Sequence, residues 1–218
     1  MAVFNVFDRE YTIGRLQAYQ QGVSNRVFRA FDGLDQEAER LEKQLWDHAM
    51  SQPGDGSEDP SAIADHVTNQ AADFLITMEW LKQQTINNAC AGLYHLWEKD
   101  LKSFLERTAV RFGKLDMKRL MRADFGELSK ILIEHKYDFE NQASYEKMNE
   151  IRLLANSVKH GLGNSLFELI VRRPDLFRKN YFTGEIDSDA ENLEITEDQF
   201  NEFAQTIAEF WEAFDITY

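Results

Sequence analysis

The chain has 218 residues, 43% of them hydrophobic and 12% aromatic, with 38 acidic against 24 basic side chains and a net charge of −14. That composition excludes a disordered chain and supplies enough apolar surface for a core. Three prolines, 11 glycines and a single cysteine, Cys90, exclude collagen-like, low-complexity and disulfide-stapled architectures. No apolar run approaches the roughly 20 residues of a membrane span, and Met1 to Glu10 shows no basic stretch followed by an apolar one. A cytoplasmic protein of a reducing compartment, with no membrane partner, is expected.

From the N-terminus, Leu16, Tyr19, Val23, Val27, Phe31, Leu34, Ala38, Leu41, Leu45 and Ala49 recur at steps of three and four, the spacing of one face of a long amphipathic helix. Gly22 and Gly33 each weaken that helix by about 1 kcal/mol relative to Ala, so a kink or break is expected at one of them. Residues 51–60 are polar and form a flexible connector that ends in Asp59-Pro60, an N-cap followed by proline at the first helical position. A second pattern runs from Ile63 through Val67, Ala71, Phe74, Met78 and Leu81, then Ala89, Leu93, Leu96, Leu101, Phe104 and Leu105. It is either one very long helix over 61–111 or two joined near Gly92, and in both cases it runs back along the first helix.

Shorter helices follow. One is predicted from about Asp124 to Tyr137 with Leu128, Ile131 and Leu132 inward, and the next from about Gln142 to His160. Ser165-Leu-Phe-Glu168 has the form of a capping box that opens a short helix ended by Pro174. After an acidic loop at 183–195, Thr196-Glu-Asp-Gln199 is a second capping box. Its helix carries Phe200, Phe203, Ala204, Ile207, Phe210, Trp211 and Phe214 on one stripe, which is expected in the core. No strand pattern and no internal repeat is apparent. The expected fold is all-α: a single domain over 1–218, a bundle of long antiparallel helices with additional shorter C-terminal helices.

Most site chemistry is excluded. The Gly-Leu-Gly at 161–163 follows a helix rather than a strand, so it is no nucleotide-binding loop. Cys90 sits inside a helical pattern as a small apolar residue. The chain lacks thiolates for a structural zinc site, and none of His48, His66, His95, His135 and His160 falls three residues after an acid, as a di-iron bundle requires; His95-Leu-Trp-Glu98 has the reversed order. No metal and no cofactor is expected. A small-molecule pocket among Trp46, Trp80 and Trp97 rests on aromatic abundance alone.

Charge is uneven: residues 101–182 carry 16 basic and 11 acidic side chains, whereas residues 183–218 carry 11 acids and no Lys or Arg. The basic middle either meets phosphates or is neutralised by the acidic end within the fold. Within it, Asn149-Glu-Ile-Arg-Leu-Leu-Ala-Asn-Ser-Val-Lys-His-Gly161 is the informative stretch. Tyr145, Met148, Ile151, Leu154, Ala155 and Val158 fall on one side of a helix, and Asn149, Arg152, Asn156, Lys159 and His160 fall within an arc of about 100° on another. Arg152, Asn156 and His160 stack at i, i+4, i+8. A guanidinium, an amide, an ammonium and an imidazole on one edge suit a phosphodiester and a proton transfer at it. The same Lys-His-Gly also suits any helix C-terminus, where cations complement free carbonyls and Gly accepts a left-handed conformation.

The Ala-Asn-Ser-Val-Lys-His-Gly run at 155–161, the preceding long helices with Leu93-Tyr-His-Leu-Trp-Glu98 and the closing aromatic helix resemble the HEPN superfamily (higher eukaryotes and prokaryotes nucleotide-binding domains). Asn156 and His160 match the polar position and the histidine of its motif. The arginine expected directly before the Asn is Ala155 here, and Arg152 stands one turn earlier. The resemblance implies an all-α homodimer and a metal-independent endoribonuclease of a toxin–antitoxin or phage-defence type, with RNA as substrate and an antitoxin as protein partner. His160, Arg152, Asn156 and Lys159 would be catalytic. Arg172, Arg173, Arg178 and Lys179 would track the nucleic-acid backbone. The alternative is a non-catalytic helical module that binds a protein partner or RNA.

Overall fold

The structure, a computed structural model, describes residues 6–51, 59–186 and 189–215; residues 52–58 of the predicted connector and 187–188 of the predicted acidic loop lie outside the described residues. The fold is all-α. Its helices are α1 (Val6–Gly22), α2 (Leu34–Ser51), α3 (Pro60–Leu105), α4 (Met117–Arg122), α5 (Phe125–Glu134), α6 (Tyr145–His160), α7 (Asn164–Arg172) and α8 (Glu197–Ala213). No β-strand occurs among the described residues; two isolated bridges, Phe177 to Leu193 and Lys179 to Ile186, tie the irregular segment before α8. Among the described residues no helix is long and apolar enough to cross a membrane.

The N-terminal amphipathic run is broken at Gly33, whose φ of 82° takes the chain out of the helical region. Ahead of that break, a π-helical turn at Val23–Val27 and a 3-10 turn at Phe28–Phe31 rotate Phe28 inward against Phe200, with ring centroids 5.2 Å apart. Gly22 therefore marks a change of helical pitch and Gly33 the true end.

The stretch from 61 onward is one helix. α3 runs 46 residues, opened by Asp59, whose side chain accepts from Ser61 N, with Pro60 at its first position. Its first half pairs with α2 as a two-helix hairpin, and its second half, from Ile86 to Leu105, is the central pillar of the core. Gly92 does not break it, because it is a point of close approach. The Tyr19 hydroxyl of α1 lies over Gly92 and donates to Ala89 O at 2.9 Å, and a Cβ at 92 would meet that hydroxyl and stand 3.1 Å from Tyr19 Cζ.

Two helix ends differ from the pattern. α5 stops at Glu134 rather than Tyr137, because Lys136 adopts φ 68° and a Schellman turn closes through Tyr137 N to Leu132 O and Lys136 N to Ile133 O, both at 2.9 Å. Ser165 is not a cap: α7 starts at Asn164 with Gly163 as its N-cap and no side-chain capping bond, so the first turn lies one residue ahead of the apparent box. The box at Thr196 forms as expected, with Gln199 Oε1 accepting from Thr196 N at 2.9 Å and Thr196 Oγ1 accepting from Gln199 N at 3.1 Å. The aromatic stripe of α8 is buried throughout.

Adding one methyl group tests the close approach at Gly92. Gly92→Ala gains helix propensity but forces Tyr19 aside, for a net loss of about 1–3 kcal/mol in chemical denaturation. Tyr19→Phe in that background recovers part of the loss, so the double variant is more stable than the sum of the single losses predicts. A Gly92→Ala protein as stable as wild type would contradict the packing described.

Candidate functional site

The site is a cleft of about 540 Å³ between α3 and α6, closed at one end by the first turn of α5. On α6, Tyr145, Asn149, Arg152, Asn156 and Lys159 line it at alternating steps of four and three, which keeps them on one stripe over the whole helix. On α3, Tyr94, His95 and Glu98 form the facing wall. Asp124, Phe125 and Gly126 bring the positive end of the α5 dipole to the same space. The apolar side of α6 is buried, Met148, Ile151, Leu154 and Ala155 completely, and this burial aims the polar stripe into the cleft.

Positive and negative groups in the cleft are engaged differently. The Asp124 side chain caps α5 by accepting from Glu127 N at 2.9 Å, and Glu98 holds Lys102 at 2.7 Å. Both carboxylates are thus committed to partners of their own. The Arg152 guanidinium is held from three sides: Nε donates to Asn149 Oδ1 at 2.9 Å, its carbon lies 5.8 Å from the Phe125 ring centroid, and Nη2 makes a long ion pair at 3.9 Å with Glu168, which also pairs with Arg172 at 3.1 Å. Lys159 makes no ion pair among the described residues. Burial pushes the Tyr94 hydroxyl well above the usual phenol range, and neighbouring Glu98 adds to that, so it stays protonated. Burial also raises Tyr145, reinforced by Glu140 and Glu146.

Of the residues the sequence singled out, Arg152, Asn156 and Lys159 are brought together in the cleft. His160 is the last residue of α6, exposed, and not among the lining residues; Gly161 follows with φ 66°. Ala155, at the motif's arginine position, is fully buried about 60° round α6 from Arg152, so a guanidinium there would enter the core, whereas Arg152 enters the cleft. Arg172, Arg173 and Arg178 are ion-paired: Arg172 with Glu146 at 2.7 Å and Glu168 at 3.1 Å, Arg173 with Glu150 and Asp175 at 2.9 Å, and Arg178 with Glu194 at 2.6 Å. Lys179 is exposed beside its backbone bridge to Ile186. Most of this pairing stays inside the basic segment; Lys147 to Glu202 and Arg178 to Glu194 are the links that reach the acidic end.

His95 and Glu98 also line the site, although the sequence offered them only as a reversed di-iron order and within the Leu93–Glu98 stretch of the HEPN resemblance. Their local signal was a His and an acid at i, i+3 on the helix that carries the core. Trp46, Trp80 and Trp97 make no common pocket: Trp97 is fully buried, while Trp80 is 52% exposed and lies about 25 Å along α3 from it. Cys90 is buried, with its thiol pushed up by burial. Among the described residues no group of three or more His, Cys, Asp or Glu side chains is placed to hold a metal ion. Comparison of the chain with protein-family models, with curated proteins and with solved structures returned no match.

Arg173 is a latch between α6 and the chain after α7. The guanidinium holds the Asp175 carboxyl below its ordinary value of 3.8, so the stability this pair contributes is complete above about pH 4 and is lost as pH falls through the lowered value. Arg173→Ala therefore costs about 1–2 kcal/mol at pH 7, and the difference from wild type narrows at pH 3. Urea denaturation at the two pH values checks this; an unchanged difference at pH 3 would contradict it.

Proposed function

We propose that this chain is a HEPN-like, metal-independent endoribonuclease that takes the RNA backbone into the α3–α6 cleft. The observation that carries the reading is the gathering of Arg152, Asn156 and Lys159 on one wall, opposite His95, in a cleft whose carboxylates already have partners. In the reaction, the RNA 2′-hydroxyl attacks the adjacent phosphate and leaves a 2′,3′-cyclic phosphate end. An imidazole moves the proton, Arg152 and Lys159 stabilise the charge gathering on the phosphate oxygens, and Asn156 orients the phosphate. His160, at the end of the same helix, is the imidazole named by the motif. Homodimerisation, a role in toxin–antitoxin or phage-defence systems and an antitoxin partner follow from the HEPN resemblance and belong to the same proposal.

A second reading is a non-catalytic module that docks a partner protein. It is favoured by the ion pairing of Arg172, Arg173 and Arg178 and by Tyr181 and Phe182, which stand 94% and 92% exposed.

Incubating the purified protein with a mixed RNA pool in excess EDTA separates the two. The nuclease reading predicts cuts with cyclic phosphate ends, slowed about 100-fold or more in Arg152→Ala. RNA left intact and unbound by the wild type would favour the docking module.

A further inference from the structure

We propose that His95, on the α3 wall, is the catalytic imidazole of the cleft. The inference rests on the RNA-cleavage reading and assigns its proton-transfer group.

Three features single out this residue. First, His95 is the one histidine among the residues lining the cleft with Arg152, Asn156 and Lys159. His95 is itself about half exposed; what sets it apart is position, since His48 and His66 lie near the far end of the α2–α3 hairpin and His160 ends α6 outside the cleft lining. Second, His95 has a carboxylate beside it: Glu98, one turn along α3, places Oε2 3.8 Å from His95 Nδ1 while its other oxygen holds Lys102 at 2.7 Å. Nδ1 thus faces the carboxylate, and Nε2 is the nitrogen assigned to the proton transfer. Third, the backbone under His95 is fixed. Leu93 and Trp97 on either side are fully buried and Tyr94 nearly so, and its ring packs edge-on to Tyr94 at 5.7 Å. His160 instead ends its helix beside a glycine. A side chain in the middle of a packed helix holds reacting groups in register better than one at a terminus.

With the phosphate held by Arg152, Asn156 and Lys159 on the α6 wall, the step balances on one proton. Nε2 takes the 2′-hydroxyl proton as the O2′–P bond forms. The P–O5′ bond breaks, and the imidazolium returns a proton to the departing 5′-oxygen. The products are a 2′,3′-cyclic phosphate and a free 5′-hydroxyl.

The test uses the full chain with RNA in EDTA and compares His95→Ala, His95→Gln and His66→Ala, the last a histidine outside the cleft. Both His95 variants should cleave about 100-fold or more slowly while binding a 2′-deoxy oligonucleotide as wild type does, and added free imidazole should restore part of the rate to His95→Ala. His66→Ala should stay within about threefold of wild type. Wild-type cleavage matched by the His95 variants would overturn the assignment and leave the nuclease reading standing. So would a loss in His95→Ala that imidazole does not relieve and that comes with lost binding. A wild type that neither cuts nor binds RNA would remove the nuclease reading and this assignment together.

Discussion

The structure depends on the packing of Trp97. Its indole is fully buried near the C-terminal end of the longest helix and meets Tyr94 at 5.6 Å, Phe125 at 5.9 Å, Phe139 at 6.1 Å and Phe210 at 5.4 Å. Those four rings come from α3, from α5, from the loop after α5 and from α8. Each buried ring removes about 150–250 Å² from water, and each favourable ring pair adds about 0.5–1.5 kcal/mol beyond that area. The cluster extends through Tyr137, Phe214 and Tyr145, so one aromatic network joins α3, α5, the loop after it, α6 and α8. Residues 137–139, which lack regular structure, are held by the rings of Tyr137 and Phe139 together with backbone hydrogen bonds such as Tyr137 N to Leu132 O.

The cleft is the outer edge of this network. Tyr94, Phe125 and Tyr145 belong to both: each packs within the aromatic cluster and each lines the cleft. The distance between the α3 and α6 walls is therefore set by core packing, and the polar groups above it are carried on rigid helices. Close packing resists small displacements, which is the condition a phosphate-holding site needs. The electrostatics follow the same division. Asp124 is spent on a helix cap and Glu98 on Lys102, which leaves Arg152 and Lys159 to face the cleft although the chain as a whole is strongly acidic.

Much of the fold was legible because it is helical, and apolar residues at steps of three and four reveal a helix without knowledge of its neighbours. The Thr196 capping box and the α8 stripe were local signals of this kind. What was not legible depended on contacts across the chain. Gly92 looks like a break until Tyr19 is seen lying over it, and the end of α5 depends on a left-handed Lys136, a residue with no intrinsic preference for that conformation. The site divided in the same way. Arg152, Asn156 and Lys159 could be read from the arc of one helix; His160 shares that arc, but it is the exposed last residue of α6 and lies outside the cleft lining. His95 and Glu98 lie more than 50 residues earlier in the chain, and only the packing of α3 on α6 brings them to the same space.

The central claim is that the α3–α6 cleft receives the RNA backbone. It is tested most directly by a crystal structure of the chain with a short 2′-deoxy oligonucleotide, which lacks the attacking hydroxyl and cannot be cut. The account predicts a phosphate held by Arg152 and Lys159, with the sugar 2′ position turned toward the α3 wall. An oligonucleotide bound along Arg172, Arg178 and Lys179 with the cleft empty of phosphate would contradict it.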